Sequence, residues 1–190
     1  MKVLVIPEDF RNDQYVLKPI LNRLFETIGE RQARIRVCQD PLLGGIGEAM
    51  KSERVAEIVE RYEAMTDIFI LCVDRDGNEG RRQRLDQLEQ EFADGRVFIA
   101  ENAWEELETW VLAGIDLPTN WRWADVRAEV QVKELYFDVL VGQRGLGDHP
   151  GGGRKPLAKE ASGRLDAIRQ KCPEDFDALV RRIEAAAQRA

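Results

Sequence analysis

The stretch Asp67-Ile68-Phe69-Ile70-Leu71-Cys72-Val73-Asp74-Arg75-Asp76-Gly77 decides how this chain is read. Six apolar residues closing on β-branched Val73 form the pattern of a buried strand. Directly after it come two acids two positions apart, so a pair of carboxylates is delivered to a sheet edge. Carboxylates that close repel each other unless positive charge sits between them, and a divalent cation held by oxygen ligands is the usual solution. A second apolar run, Val3-Leu4-Val5-Ile6, leads into Pro7-Glu8. If the two strands are neighbours, Glu8, Asp74 and Asp76 converge.

Outward from these runs the chain alternates strand and helix patterns. Strands are predicted at Lys2–Ile6, Ala33–Cys38, Asp67–Val73 and Arg96–Ala100. Helices are predicted at about 14–28, 48–65, 81–92 and 104–112, the first carrying Val16, Leu17, Ile20, Leu21, Leu24, Phe25 and Ile28 on one stripe, with Asn12 or Asp13 as its N-cap and Gly29 ending it. Strands separated by helices imply βαβ units. The expected class is therefore α/β, a four-stranded, mainly parallel sheet flanked by helices over residues 1–115. Residues 116–190 change character and are expected to form a helical C-terminal extension packed on that core: a helix at about 125–141, a loop at 142–153 with six glycines, then helices at about 158–171 and 174–187, with Pro173 at the start of the last.

Composition excludes several classes. Of 190 residues 44% are hydrophobic and 33% charged, and no run reaches the roughly 18 apolar residues of a membrane span. The N-terminal segment lacks the features of a signal peptide, so a cytoplasmic protein is expected. Cys38, Cys72 and Cys172 have neither metal-ligand nor redox spacing, and His149 is the one histidine. That argues against nucleophilic triads and multi-histidine metal sites. The formal net charge is −7. The body to residue 130 is acidic and the remainder weakly basic, which argues against simple electrostatic nucleic-acid binding by this chain alone.

Two loops carry chemistry-bearing residues. Gly44-Gly45-Ile46-Gly47-Glu48-Ala49-Met50-Lys51-Ser52 has Met50 where both a Walker A loop and a dinucleotide loop need glycine, so close phosphate approach is sterically blocked. Asp74-Arg75-Asp76-Gly77 fails as a calcium loop, because Glu79 and Leu85 stand where glycine and a carboxylate are required. Three readings stay open: a helix-capping acidic turn, a haloacid-dehalogenase-like phosphatase with Asp74 as nucleophile, and a hard-metal site. The last needs Mg²⁺ or Mn²⁺, since its donors are carboxylates. Glu101, Glu105, Glu106 and Glu108 follow the fourth strand at the same predicted edge, with Glu105 and Glu108 on one helix face. Lys133, Arg154 and Lys155 are the candidate cations for phosphoryl chemistry.

This order of motifs resembles the TOPRIM domain of topoisomerases, primases and OLD-type nucleases: a glutamate after the first strand (Glu8) and Asp-x-Asp after a later one (Asp74, Asp76). It resembles more closely a group of small bacterial TOPRIM-like proteins, through Ile6-Pro7-Glu8, Val73-Asp74-Arg75-Asp76, the stretch from Glu106 to Ala113, Lys133-Glu134-Leu135-Tyr136 and the stretch from Cys172 to Phe176. Pro7 departs from the glycine found beside the glutamate in many of these sequences. The resemblance implies a Mg²⁺/Mn²⁺-dependent nuclease acting on DNA or RNA, with Glu8, Asp74, Asp76 and Lys133 catalytic and Glu8, Asp74, Asp76, Glu108 and Glu106 as metal ligands. It also implies an ATPase partner in phage defence; a homodimer is a further expectation. The competing expectation is a non-catalytic interaction module with a vestigial acidic edge.

Overall fold

The structure, a computed structural model, describes residues 1–188. Its strands are β1 (Lys2–Pro7), β2 (Arg34–Val37), β3 (Ile68–Asp74) and β4 (Val97–Ala103). They form one sheet in the order β2-β1-β3-β4, and every pairing is parallel. In β3 every residue from Ile68 to Val73 is buried, as expected of a parallel strand covered on both faces.

Alternation sorts the strand residues onto two faces. Leu4, Ile6, Phe69, Leu71, Val73, Phe98 and Ala100 pack with α3 (Ser52–Tyr62) and α4 (Arg81–Phe92). Val3, Val5, Ile68, Ile70, Cys72 and Ile99 pack with α1 (Phe10–Thr27) and with the C-terminal helices. These are α5 (Glu108–Ala113), α6 (Trp123–Ala128), α7 (Asp138–Gln143), α8 (Arg154–Ser162), α9 (Leu165–Lys171) and α10 (Phe176–Ala187), with α2 (Ile46–Ala49) lying earlier, before α3. Trp110 and Phe176, both fully buried, meet edge to face at 5.2 Å. The segment after residue 115 thus shares one core with α1 and the sheet.

Several element boundaries differ from the sequence-based expectation. α1 begins four residues early, because Asp9 rather than Asn12 or Asp13 caps it, accepting from the Arg11 N–H at 2.9 Å. The helix expected at 48–65 is split at Met50–Lys51 and ends in a 3₁₀ turn over Glu63–Met65. β4 runs on to Ala103, so Glu101 lies inside the strand. The helix expected from Trp104 starts only at Glu108, because Glu105 adopts φ 64° and folds back over the turn after β3. The helix expected at 125–141 is interrupted after Ala128 and resumes as a π turn at Lys133–Phe137. α8 opens at Arg154, and α10 opens at Phe176, leaving Pro173 in the preceding turn.

One close helix approach limits the fold. A Cβ at Gly114, just past α5, would lie 2.8 Å from the Cα, Cβ and carbonyl oxygen of Ala161 in α8. Backbone cannot retreat from such a contact without moving α8, and overpacking of this kind costs ~1–3 kcal/mol. Gly114→Ala is expected to lower the unfolding free energy measured by urea denaturation by that amount; an unchanged value would show that α5 and α8 tolerate a wider spacing.

Candidate functional site

β1 has β2 on one side and β3 on the other, so the chain changes direction across the sheet between them. In open α/β sheets, the crevice at the carboxyl ends of strands flanking such a switch is the usual ligand position. Glu8 follows β1 and Asp74 ends β3, at that crevice. The two residues meet through one backbone group: the Asp74 N–H donates to Glu8 Oε2 at 3.3 Å. Asp74 Oδ1 in turn accepts from the Leu107 N–H at 2.8 Å.

Two more acids press on this pair. Burial raises the Asp74 carboxyl far above its usual range, and the Glu108, Asp13 and Glu8 charges add to it, against the Leu107 N–H. Burial likewise raises Glu8; the Asp74 N–H and Arg81 oppose this, and Asp76 and Asp9 add to it. Asp13, one turn into α1, is pushed up to about 8 by burial and by Glu108, Glu8 and Asp9, against the Asp9 N–H that it accepts at 2.9 Å. By sequence Asp13 is a candidate helix cap. The readable signal was its place at i−3 and i−4 from Val16 and Leu17, on the buried stripe of α1.

Asp76 is separated from this buried group. Its side chain is 46% exposed and its nearest cation is Arg81 Nη2, at 3.6 Å. The turn that carries it is held from the segment just after β4. Glu105 O accepts the N–H groups of Arg75 and Asp76 at 2.8 and 3.1 Å. Glu105 Oε1 accepts from Arg75 Nη1 at 2.6 Å, and Oε2 from the Gly77 N–H at 2.5 Å. Asp76 and Glu105 both take left-handed backbone (φ 52° and 64°). That conformation costs a non-glycine residue ~1–2 kcal/mol, which the four hydrogen bonds offset. Arg75 completes the clamp by lying over the Trp104 ring, 4.0 Å from its centre.

The remaining expected residues take varied positions. Glu108 is buried and its Oε1 is held by Arg154, with Nε at 2.7 Å and Nη2 at 2.5 Å. Arg154, expected as a substrate cation, is thereby a partner of an expected ligand. Glu106 Oε2 accepts the Lys133 N–H at 2.6 Å, and burial with the Glu108 charge raises Glu106 to about 7. Lys133 Nζ stands 3.4 Å from Glu134 Oε1; burial works against its charge, but Glu134, Glu108 and Glu106 more than restore it. Glu101 lies away from the crevice, paired with Arg82 at 2.8 Å and with Arg182 of α10. Glu105 and Glu108, expected on one helix face, are divided between the clamp and the start of α5.

The donor set Glu8, Asp13, Asp74 and Glu108 is all carboxylate and fits a hard cation by type. As the side chains stand, no group of three or more His, Cys, Asp or Glu among the described residues is arranged to hold a metal ion. The oxygens not tied to Asp74 N–H, Asp9 N–H, Leu107 N–H and Arg154 are those such an ion would take. No helix among the described residues is long and apolar enough to cross a membrane. Comparison with protein-family models, curated proteins and solved structures found no match.

Proposed function

We propose that this chain is a Mg²⁺- or Mn²⁺-dependent phosphodiesterase of TOPRIM type acting on DNA or RNA. The observation that supports it is the contact of Glu8 with Asp74 at the sheet's switch point, with the Asp13 and Glu108 charges acting on the buried Asp74 carboxyl. Such a group of acids is costly without a cation and is the donor set a hard cation requires. A bound divalent ion would polarise the phosphate and lower the pKa of a water. Glu8 and Asp74 would hold it, with Asp13 and Glu108 flanking. Asp76 would face the substrate side from the rim, and Lys133 would lend charge near Asp76 and Glu106. By resemblance, an ATPase partner and a role in phage defence belong to the same proposal.

The test is hydrolysis of labelled single- and double-stranded DNA and RNA with Mn²⁺, alongside thermal melting with and without the ion. Glu8→Gln is expected to cut the rate by about a hundredfold or more and to reduce the Mn²⁺-induced rise in melting temperature. Full activity in that variant would sink the proposal.

A second reading has one observation in its favour. Val130, Leu135 and Val139 are exposed apolar residues, and Val130 lies against Gly77, where an added Cβ would come within 3.6 Å of its Cγ1. A protein partner covering these residues would sit beside the acidic crevice. A purely docking role predicts neither hydrolysis nor stabilisation by Mn²⁺.

A further inference from the structure

Arg81 is the least satisfied buried cation near the crevice. It is the first residue of α4 and only 8% exposed. Its Nη2 lies 3.5 Å from the Arg75 carbonyl and 3.6 Å from Asp76 Oδ2, both too long for a strong charge-assisted bond. Its Nε is buried with no partner. Arg154, equally buried, shows what satisfaction looks like: contacts of 2.7 and 2.5 Å to Glu108 and of 2.9 Å to the Gly151 carbonyl. A guanidinium carries five N–H donors in a fixed fork, and a buried donor without an acceptor is a standing cost.

The position of this fork is specific. Its Nη2 stands 3.6 Å from Asp76 Oδ2 on the exposed rim, and its charge also acts on Glu8. The Glu105 clamp holds the turn that carries the Arg75 carbonyl and Asp76, so neither can readily close on the guanidinium. An acceptor with several oxygens in one group, arriving from the rim, would meet these donors; phosphate matches the fork bidentately.

We propose that Arg81 binds a phosphate oxygen of the substrate at the rim of the crevice, a role for which the sequence pattern offers Lys133, Arg154 and Lys155. This rests on the phosphodiesterase reading for its substrate and not for its anion chemistry. Asp76, the nearest carboxylate, would then orient the guanidinium when no phosphate is present.

Inorganic phosphate in EDTA is the first probe, read by thermal melting, and a fluorescent 12-nucleotide oligothymidylate in Ca²⁺ is the second, read by anisotropy. Wild-type protein is expected to be stabilised by phosphate. Arg81→Gln is expected to bind both probes at least tenfold more weakly, Arg81→Lys to recover part of the loss, and Arg23→Gln, which removes a remote exposed charge, to bind as wild type. The comparison uses the variants' melting temperatures without phosphate, and Arg81→Lys carries the test if Arg81→Gln fails to fold. No stabilisation of wild type by phosphate, or equal binding in the Arg81 variants, would overturn the proposal. Phosphate binding through Arg81 without hydrolysis of any nucleic acid would leave this site standing and remove the nuclease reading.

Discussion

Asp74→Asn is expected to abolish Mn²⁺-dependent hydrolysis while making the metal-free protein more stable. Under the proposed function Asp74 holds the ion, and losing several kcal/mol of metal-borne stabilisation of the transition state corresponds to about a thousandfold in rate. Stability moves the other way because Asp74 is buried among Glu108, Asp13 and Glu8. The amide keeps an oxygen for the Leu107 N–H and carries no charge. Asp13→Asn gives the pH window, since that carboxyl is raised from 3.8 to about 8. Well below pH 3.8 it is protonated both folded and unfolded, and contributes nothing. As pH rises, the unfolded chain releases the proton first, so the folded state loses stability progressively until about pH 8, above which the deficit is constant. At pH 7 the deficit is ~2–4 kcal/mol, and removing it should raise the melting temperature in EDTA by roughly 5 °C or more. The gain should vanish near pH 3.5 and shrink when Mn²⁺ is added. An Asp13→Asn variant that melts lower than wild type at pH 7 in EDTA would show that the acids are not in electrostatic conflict.

The second large effect is structural. Asp175 is 2% exposed and collects four donors. Its Oδ2 accepts from Trp104 N–H at 2.8 Å, Trp110 Nε1 at 2.7 Å and Arg127 Nη1 at 3.2 Å. Its Oδ1 accepts from Arg127 Nη2 at 2.7 Å. One carboxylate therefore ties the end of β4, the buried face of α5 and the loop before α10 to Arg127 of α6. Asp175→Ala leaves a buried indole N–H without its acceptor and a largely covered guanidinium without its main counter-charge. Breaking a buried pair in this way costs about 3–5 kcal/mol, a large share of a stability of ~5–15 kcal/mol. A fall of about 10 °C in melting temperature is expected, with Asp175→Asn falling less because an amide oxygen can still accept. A loss under 2 °C for the alanine variant would contradict the assignment.

Much of the α/β core was legible because its cause is local. The run Ile68–Val73 can be buried on both faces only in a covered parallel strand, and the stripe of α1 has helical period. The adjacency of Glu8 and Asp74 followed once the two runs were taken as neighbours. Other features depend on residues far apart in the chain. Arg154 reaches Glu108 across 46 positions, and the delayed start of α5 follows from Glu105 bonding to a turn about 30 residues earlier. Asp13 is an intermediate case: its spacing placed it on the buried stripe, but helix-capping preference offered a simpler account of an acid near a helix start.

The pairing of Arg154 with Glu108 bears on where the functional unit ends. A piece of chain stopping at residue 115 would contain every acid of the crevice, yet it would leave Glu108 without its counter-charge and strip the cover from Trp110 and Leu112. Cutting there would separate Glu108 from the charge that balances it. The crevice belongs to the whole chain, and the residues after 115 are part of its electrical neutrality as much as of its packing.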